Sequence, residues 1–251
     1  MDMYFNNKDR INTGVALLIA VLIIGYIDNY IVMWLVFGGV YILALQESVK
    51  LFKLKDTTPL PYAFGLWFLA GIYPSADDLF VLTGVAYASA VAFNKKLSWN
   101  SYLPFIYPTA GILFIFSLYQ QYGMPSLLWL IAVVAFTDIG AYVVGKSIGK
   151  TKFCETSPNK TREGVIGGVA IATLGGLFFG LSIVDWSLAL LISFGVAVSS
   201  IYGDLFESSL KRAAKVKDSG DLLPGHGGVL DRIDGYLFGG IVMLVLLRGL
   251  V

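Results

Sequence analysis

The sequence predicts an all-α, polytopic integral membrane protein with about nine transmembrane helices and a cytoplasmic N-terminus. Three observations carry this reading. First, 57% of the 251 residues are hydrophobic and 14% are charged, where soluble domains carry roughly 25% charge; mean hydropathy is +0.74. Second, the apolar residues fall into successive runs of helix length along the whole chain. Third, 17 of the 18 Lys and Arg residues sit before the first run or in every second loop. The net charge of +1 says nothing about partners, and no nucleic-acid partner is expected. The single cysteine, Cys154, excludes an internal disulfide.

A spanning helix needs about 20 apolar residues, with a range of ~17–25. The first core, 13–27, follows Lys8 and Arg10 as a signal peptide would, but no small-residue cleavage site follows, so it reads as a retained helix. The second core, 30–45, comes almost at once. The third, 60–73, and the fourth, 79–93, are short and flank Pro74-Ser75-Ala76-Asp77-Asp78; they read as two spans or as one broken element. The fifth core covers 103–119 and the sixth 124–145. The seventh covers 165–181, the eighth 186–205 and the ninth 236–247. Tyr30, Trp99, Tyr102, Trp186 and Tyr236 lie near core ends, where amphipathic rings anchor at the interface.

The charge pattern orients the chain. Lys8 and Arg10, then Lys50, Lys53 and Lys55, then Lys95 and Lys96, then five cations in 146–162 and five in 211–232 all fall on one side. Positive residues stay cytoplasmic, so the N-terminus and both charge-rich loops are expected inside and the C-terminus outside. The chain divides into helices 1–5 over 1–123 and a catalytic half over 124–251, with cytoplasmic loops 146–164 and 207–234.

Chemistry concentrates in those two loops and the helix ends that hold them. Asp138 lies inside the sixth core, where a carboxylate costs roughly 2.5–3.5 kcal/mol and usually faces a partner or a wet cavity. Asp204, near the end of the eighth core, follows the same argument closer to water. In the first loop, Lys160 and Arg162 offer phosphate partners, but taken alone a solvated cytoplasmic loop explains them better. In the second loop, Ser208, Lys211 and Lys215 have the spacing of one helix face, with Asp204 on the same stripe. Gly225-His226-Gly227-Gly228 lets main-chain N–H groups approach a ligand. His226 reads as a hydrogen-bond donor rather than a metal ligand. Asp231 and Asp234 are three apart just ahead of the ninth helix; on a helix they would face one way, which suits shared ligation of a hard cation such as Mg²⁺. The residues alone therefore point to Mg²⁺-dependent chemistry on a phosphate-bearing substrate, and leave the substrate open.

The stretch Ser208, Leu210, Lys211-Arg212, Lys217-Asp218, His226-Gly227-Gly228, Asp231-Arg232-Ile233-Asp234 resembles the signature of the phosphatidate cytidylyltransferases. Thr137-Asp138, Ser157-Pro158, Lys160-Thr161, Glu163-Gly164 and Gly203-Asp204-Leu205 extend the resemblance upstream, whereas the first half matches only in hydrophobic layout. Arg162 stands where the family usually has Trp, and Asn159 where it commonly has Lys.

The resemblance implies CTP plus phosphatidate giving CDP-diacylglycerol and pyrophosphate, with Mg²⁺ as cofactor; a second, monovalent cation stays open. It assigns metal to Asp218, Asp231 and Asp234, with Asp138 and Asp204 behind them. Phosphates fall to Lys211, Arg212, Lys217 and Arg232, with Lys160, Gly227 and Gly228 contributing to substrate binding. Ser208 and His226 donate hydrogen bonds. The implied setting is a bacterial-type inner membrane with membrane lipids as neighbours, and a homodimer stays open. Two alternatives stand beside this reading: a CTP-dependent enzyme acting on another lipid phosphate, and a transporter of an anionic solute.

Overall fold

The computed structural model of the chain describes residues 2–53, 59–94, 97–225 and 227–251, with only the backbone of residues 2–11 and 59. The helices are α1 (Asp2–Ile27), α2 (Tyr30–Leu51), α3 (Pro59–Ala70), α4 (Asp78–Phe93), α5 (Leu103–Ile148), α6 (Arg162–Gly180), α7 (Trp186–Ala214) and α8 (Leu230–Leu250). A 3-10 turn at Trp99–Ser101 precedes α5. The described residues form no strand, only isolated bridges at Lys152–Thr161 and Leu223–Gly227. The chain is thus all-helical, as expected.

α5 is two helical segments. Gly123 has φ 68° and ψ −168°, a left-handed conformation that glycine adopts without a steric penalty. The Ser126 hydroxyl donates to the Gly123 carbonyl at 2.7 Å and ties off the break. With that break, each of the nine apolar cores overlaps a helical segment among the described residues, although the third core, 60–73, runs three residues past the end of α3 at Ala70. Five helices (α2, α5 with the 3-10 turn, α6, α7 and α8) are long and apolar enough to cross a membrane; the stretch 12–27 of α1, residues 60–70 of α3, and α4 are shorter apolar helices. α3 and α4 are separate helices, divided by the turn at 71–77.

The chain forms two compact units. The first comprises Met1–Thr109 and Ala213–Ile233. Its α2 and α3 interlock reciprocally: Trp34 Nε1 donates to the Trp67 carbonyl and Trp67 Nε1 to the Trp34 carbonyl, both at 3.0 Å. Gly38 and Gly71 leave room for these indoles, since a Cβ at either would strike the opposing ring. Near the start of α5, Pro108 has no N–H for the carbonyl of Pro104, four residues back. The Ser48 hydroxyl, fully buried on α2, supplies the missing donor at 2.8 Å.

The second unit comprises Ala110–Arg212 and Asp234–Val251. In α6, Gly164, Gly168, Ala172, Gly176 and Gly180 recur every fourth residue, all buried. A Cβ at Gly164 would lie 2.7 Å from the Ala141 carbonyl oxygen, and one at Gly168 2.6 Å from that of Thr137. Small residues at this spacing let two backbones approach where lipid gives helices no hydrophobic drive to associate. The approach fixes α6 against the second segment of α5. Trp129 Nε1 donates to Ser193 Oγ at 2.9 Å, joining α5 to α7.

Candidate active site

In the second unit the site grows from the loop between α5 and α6. Phe153 N–H donates to the Lys160 carbonyl at 2.8 Å and Arg162 N–H to the Thr151 carbonyl at 2.9 Å, closing residues 151–162 into a narrow turn. The Glu163 carboxylate accepts from the N–H groups of Lys150 (3.1 Å) and Thr151 (3.2 Å) at its base. Thr161 caps α6 by accepting from Gly164 N–H at 3.2 Å. A loop held this firmly directs Lys160, whose ammonium forms an ion pair with Asp204 on α7.

Asp204 belongs to a group of carboxylates. Glu207, one turn on and fully buried, accepts from Lys211 Nζ at 3.3 Å. Asp234, in the first turns of α8, lies close enough to Glu207 and Asp204 to interact with both electrostatically. Gly203 explains the closeness: it sits against the Asp234 carbonyl oxygen, where a Cβ would collide. α7 and α8 touch there backbone to backbone and bring Asp204 beside Asp234. Asp138 is exposed on α5 and close enough to Tyr236 to interact with it electrostatically. Ser208 is half-buried and Arg212 exposed on α7.

The expected face of Ser208, Lys211 and Lys215 ends early. α7 stops at Ala214, and Lys215 takes φ 63°. That left-handed residue turns the chain out of the helix, so Lys215 leaves the stripe.

In the first unit the signature continues as a loop built around two acidic side chains. Asp231 Oδ2 accepts from Ser219 N–H (2.8 Å), Ser219 Oγ (2.9 Å) and Gly228 N–H (2.8 Å). Glu47, on α2 and buried, accepts from Ser219 Oγ (2.8 Å), Val229 N–H (2.9 Å) and Leu230 N–H (2.9 Å). The single Ser219 hydroxyl proton lies between two carboxylates. Between these anchors Leu223 N–H donates to the Gly227 carbonyl at 2.9 Å, and Gly225 and Gly227 take φ 73° and 81°. His226 lies outside the described residues, as do Lys55, Lys95 and Lys96 of the charge pattern. Lys217, Asp218 and Arg232 are exposed. The Gly228 N–H points at Asp231, so this glycine serves the carboxylates of the chain itself.

The donors available to a cation are carboxylate oxygens, which suit a hard ion. Among the described residues no three His, Cys, Asp or Glu side chains close into a metal cage. Mg²⁺ usually takes only one or two protein carboxylates and completes its shell with phosphate and water. The donor set therefore fits Mg²⁺ bound together with a phosphate substrate.

Sequence reasoning missed Glu47 and Glu207. Both carried the signal that singled out Asp138: an acid inside or at the edge of an apolar run.

A cytidylyltransferase family model matches residues 8–250. The chain is 41% identical over 246 residues to a phosphatidate cytidylyltransferase of Helicobacter pylori (strain J99), covering 97% of this chain and 92% of that protein. It is 36% identical over 257 residues to the phosphatidate cytidylyltransferase of Bacillus subtilis (strain 168), covering 92% of this chain and 94% of that one. A Brucella suis protein of the same name is 46% identical over 134 residues, 49% of each chain. With the signature filled and the match running nearly from end to end, this all-helical chain belongs to the cytidylyltransferase family.

Proposed function

We infer that this protein transfers the cytidylyl group of CTP to phosphatidate, giving CDP-diacylglycerol and pyrophosphate for phospholipid biosynthesis. One observation carries the reading: relatives bearing that activity in their names align over more than nine-tenths of this chain. A phosphate oxygen of phosphatidate attacks the α-phosphorus of CTP, and the α–β phosphoanhydride bond breaks to release pyrophosphate. The lipid supplies its own nucleophile, so no Ser or Cys nucleophile is needed. Both reactants are anions, and positioning with charge stabilisation accounts for most of the catalysis.

In our reading Lys211, Arg212, Lys217 and Arg232 hold phosphate oxygens, with Lys160 beside them. Ser208 and His226 donate hydrogen bonds, and the Gly227-Gly228 turn shapes the phosphate subsite. Asp218, Asp231 and Asp234 would hold Mg²⁺, backed by Asp138 and Asp204. Bound there, Mg²⁺ would neutralise the developing charge on the transferring and leaving phosphates. The carboxylates supporting this are Asp204, Glu207 and Asp234, which outnumber the lysines paired with them.

We further propose nine spans in a bacterial inner membrane, with the N-terminus and both charged loops cytoplasmic, supported by the 17-of-18 charge split. The chemistry sits in the helices after Gly123. The test is release of pyrophosphate from CTP by the purified protein in detergent with Mg²⁺. Release that requires added phosphatidate supports the reading. Release with an ether-linked lipid phosphate instead reassigns the lipid, and no turnover with either overturns the enzyme.

A further inference from the structure

We propose that Glu47, on α2, is the positioning residue of the signature loop: its buried carboxylate ties Ser219 to the start of α8 and thereby sets the place of Asp231. The inference rests on the cytidylyltransferase reading for its kinetic consequences, but its geometry stands apart from it.

Glu47 is 6% exposed in a helix that is otherwise apolar over most of its length. A carboxylate in such a place is retained only where something compensates it. Here two donors are the N–H groups of Val229 and Leu230, which begin α8 and have no partner within that helix. A negative group at a helix N-terminus also meets the favourable end of the helix dipole. The third donor is Ser219 Oγ, 172 residues away in sequence. Ser219 passes the constraint on, since its hydroxyl and its N–H both reach Asp231 Oδ2.

Two glycines mark the space the carboxylate needs. A Cβ at Gly220 would lie 2.8 Å from Glu47 Oε1, and one at Gly228 would collide with Oε2 and with Ser219 Oγ. The glycines of the signature thus make room for Glu47 as much as for any ligand. The N-terminal half thus contributes the Glu47 side chain of α2 to the signature loop.

The donors separate this role from space-filling. Glu47→Gln keeps the volume but replaces an acceptor oxygen with an NH₂ that must face a donor. Glu47→Asp shortens the side chain by one methylene and keeps both acceptors. The positioning role therefore ranks Asp above Gln, whereas a packing role ranks Gln above Asp. We expect Glu47→Gln to lower kcat by about tenfold or more with both KM values within about threefold, because Asp231 acts on the transition state; Glu47→Asp should recover part of that loss. Trypsin cleavage after the exposed Lys215 and Lys217 should quicken in the Gln variant and be intermediate in Asp.

Proteolysis needs neither CTP nor lipid. If cleavage ranks as expected but the wild type shows no CTP turnover, the functional reading fails and the positioning role stands. Gln at wild-type level in both readouts, or Gln better than Asp, overturns the proposal. Should Glu47→Gln fail to fold in detergent, Ser219→Ala cuts the link to Asp231 alone; faster cleavage with lower kcat supports the proposal, and unchanged cleavage and kcat overturn it.

Discussion

Gly228 has no room for a methyl group. A Cβ there would strike Ser219 Oγ and Glu47 Oε2, so Gly228→Ala must displace the loop, whereas Gly39→Ala enters open space. We expect Gly228→Ala to lose most CTP turnover and Gly39→Ala to keep it; equal activities would show that the loop tolerates the displacement. Asp231→Asn is the sharper test of the metal assignment. An amide can still accept some of the Ser219 and Gly228 hydrogen bonds but ligates Mg²⁺ poorly, so turnover should fall well beyond tenfold while the protein stays folded. Activity within about tenfold, a loss of ~1.4 kcal/mol or less, would remove Asp231 from the cation. Lys211 and Arg212 lie about 100° apart around α7 at 3.6 residues per turn, and they should serve different partners. Lys211 reaches Glu207 in the carboxylate group, so Lys211→Ala should mainly lower kcat. Arg212 has the planar fork suited to a bidentate phosphate, and Arg212→Lys should mainly raise KM for phosphatidate. A rise in KM for CTP instead would exchange the two roles.

At the scale of elements, the Ser48 hydroxyl makes a helix containing Pro108 tolerable. Ser48→Ala leaves the Pro104 carbonyl without that donor and should destabilise the fold by about 1–3 kcal/mol. Pro108→Ala restores an N–H four residues on, so adding it should recover much of the loss. Thermal unfolding of the four proteins in detergent reads the coupling, and simple additivity would deny it. α7 begins on Asp185, whose Oδ1 accepts from Ser187 Oγ (2.6 Å), Ser187 N–H (2.8 Å) and Leu188 N–H (3.2 Å). The Ser187 hydroxyl first, then the Leu188 N–H, holds this carboxyl below its usual range. A lowered native value means that the cap stabilises the fold above the ordinary carboxylate pKa and loses its effect as pH falls through the lowered one. The small midpoint gap between wild type and Asp185→Ala should thus be present at neutral pH and close in acid; a gap that widens in acid would contradict the cap.

For the whole molecule, topology is the quantity to measure. α3 has 12 residues and α4 has 16, or about 18 and 24 Å at 1.5 Å per residue, against a hydrocarbon core of about 30 Å. Two short spans thin the bilayer locally, and a broken pair turns back within it. Either arrangement leaves the loops around Lys53 and Lys152 on the same side, because both return the chain to the face it left. Reporter fusions at Lys53 and Lys152 should therefore report cytoplasm and a fusion at Val251 the opposite side. Lys53 and Lys152 on opposite faces would sink the charge-based topology. A fusion at Ser75 separates two spans, which put it outside, from a broken pair.

The all-helical class, the positions of the nine apolar segments and the signature residues were all legible in the sequence, because hydrophobic run length and charge placement are local properties. The break at Gly123 was visible for the same reason: the fifth and sixth cores are separated there. The partners of the signature residues were not legible. Lys160 meets Asp204 across 44 residues, and Glu47 meets Ser219 across 172. Spacing along a chain carries no information about such pairs. Lys215 was placed on the helix face with Lys211 by counting residues, but a left-handed residue after Ala214 ends the helix first. In the sequence Gly228 reads as a place for ligand approach, and nothing local gives Gly203 or Gly220 a role. Only tertiary structure made each a place where a Cβ would collide, since a missing side chain acquires meaning from what another segment puts there.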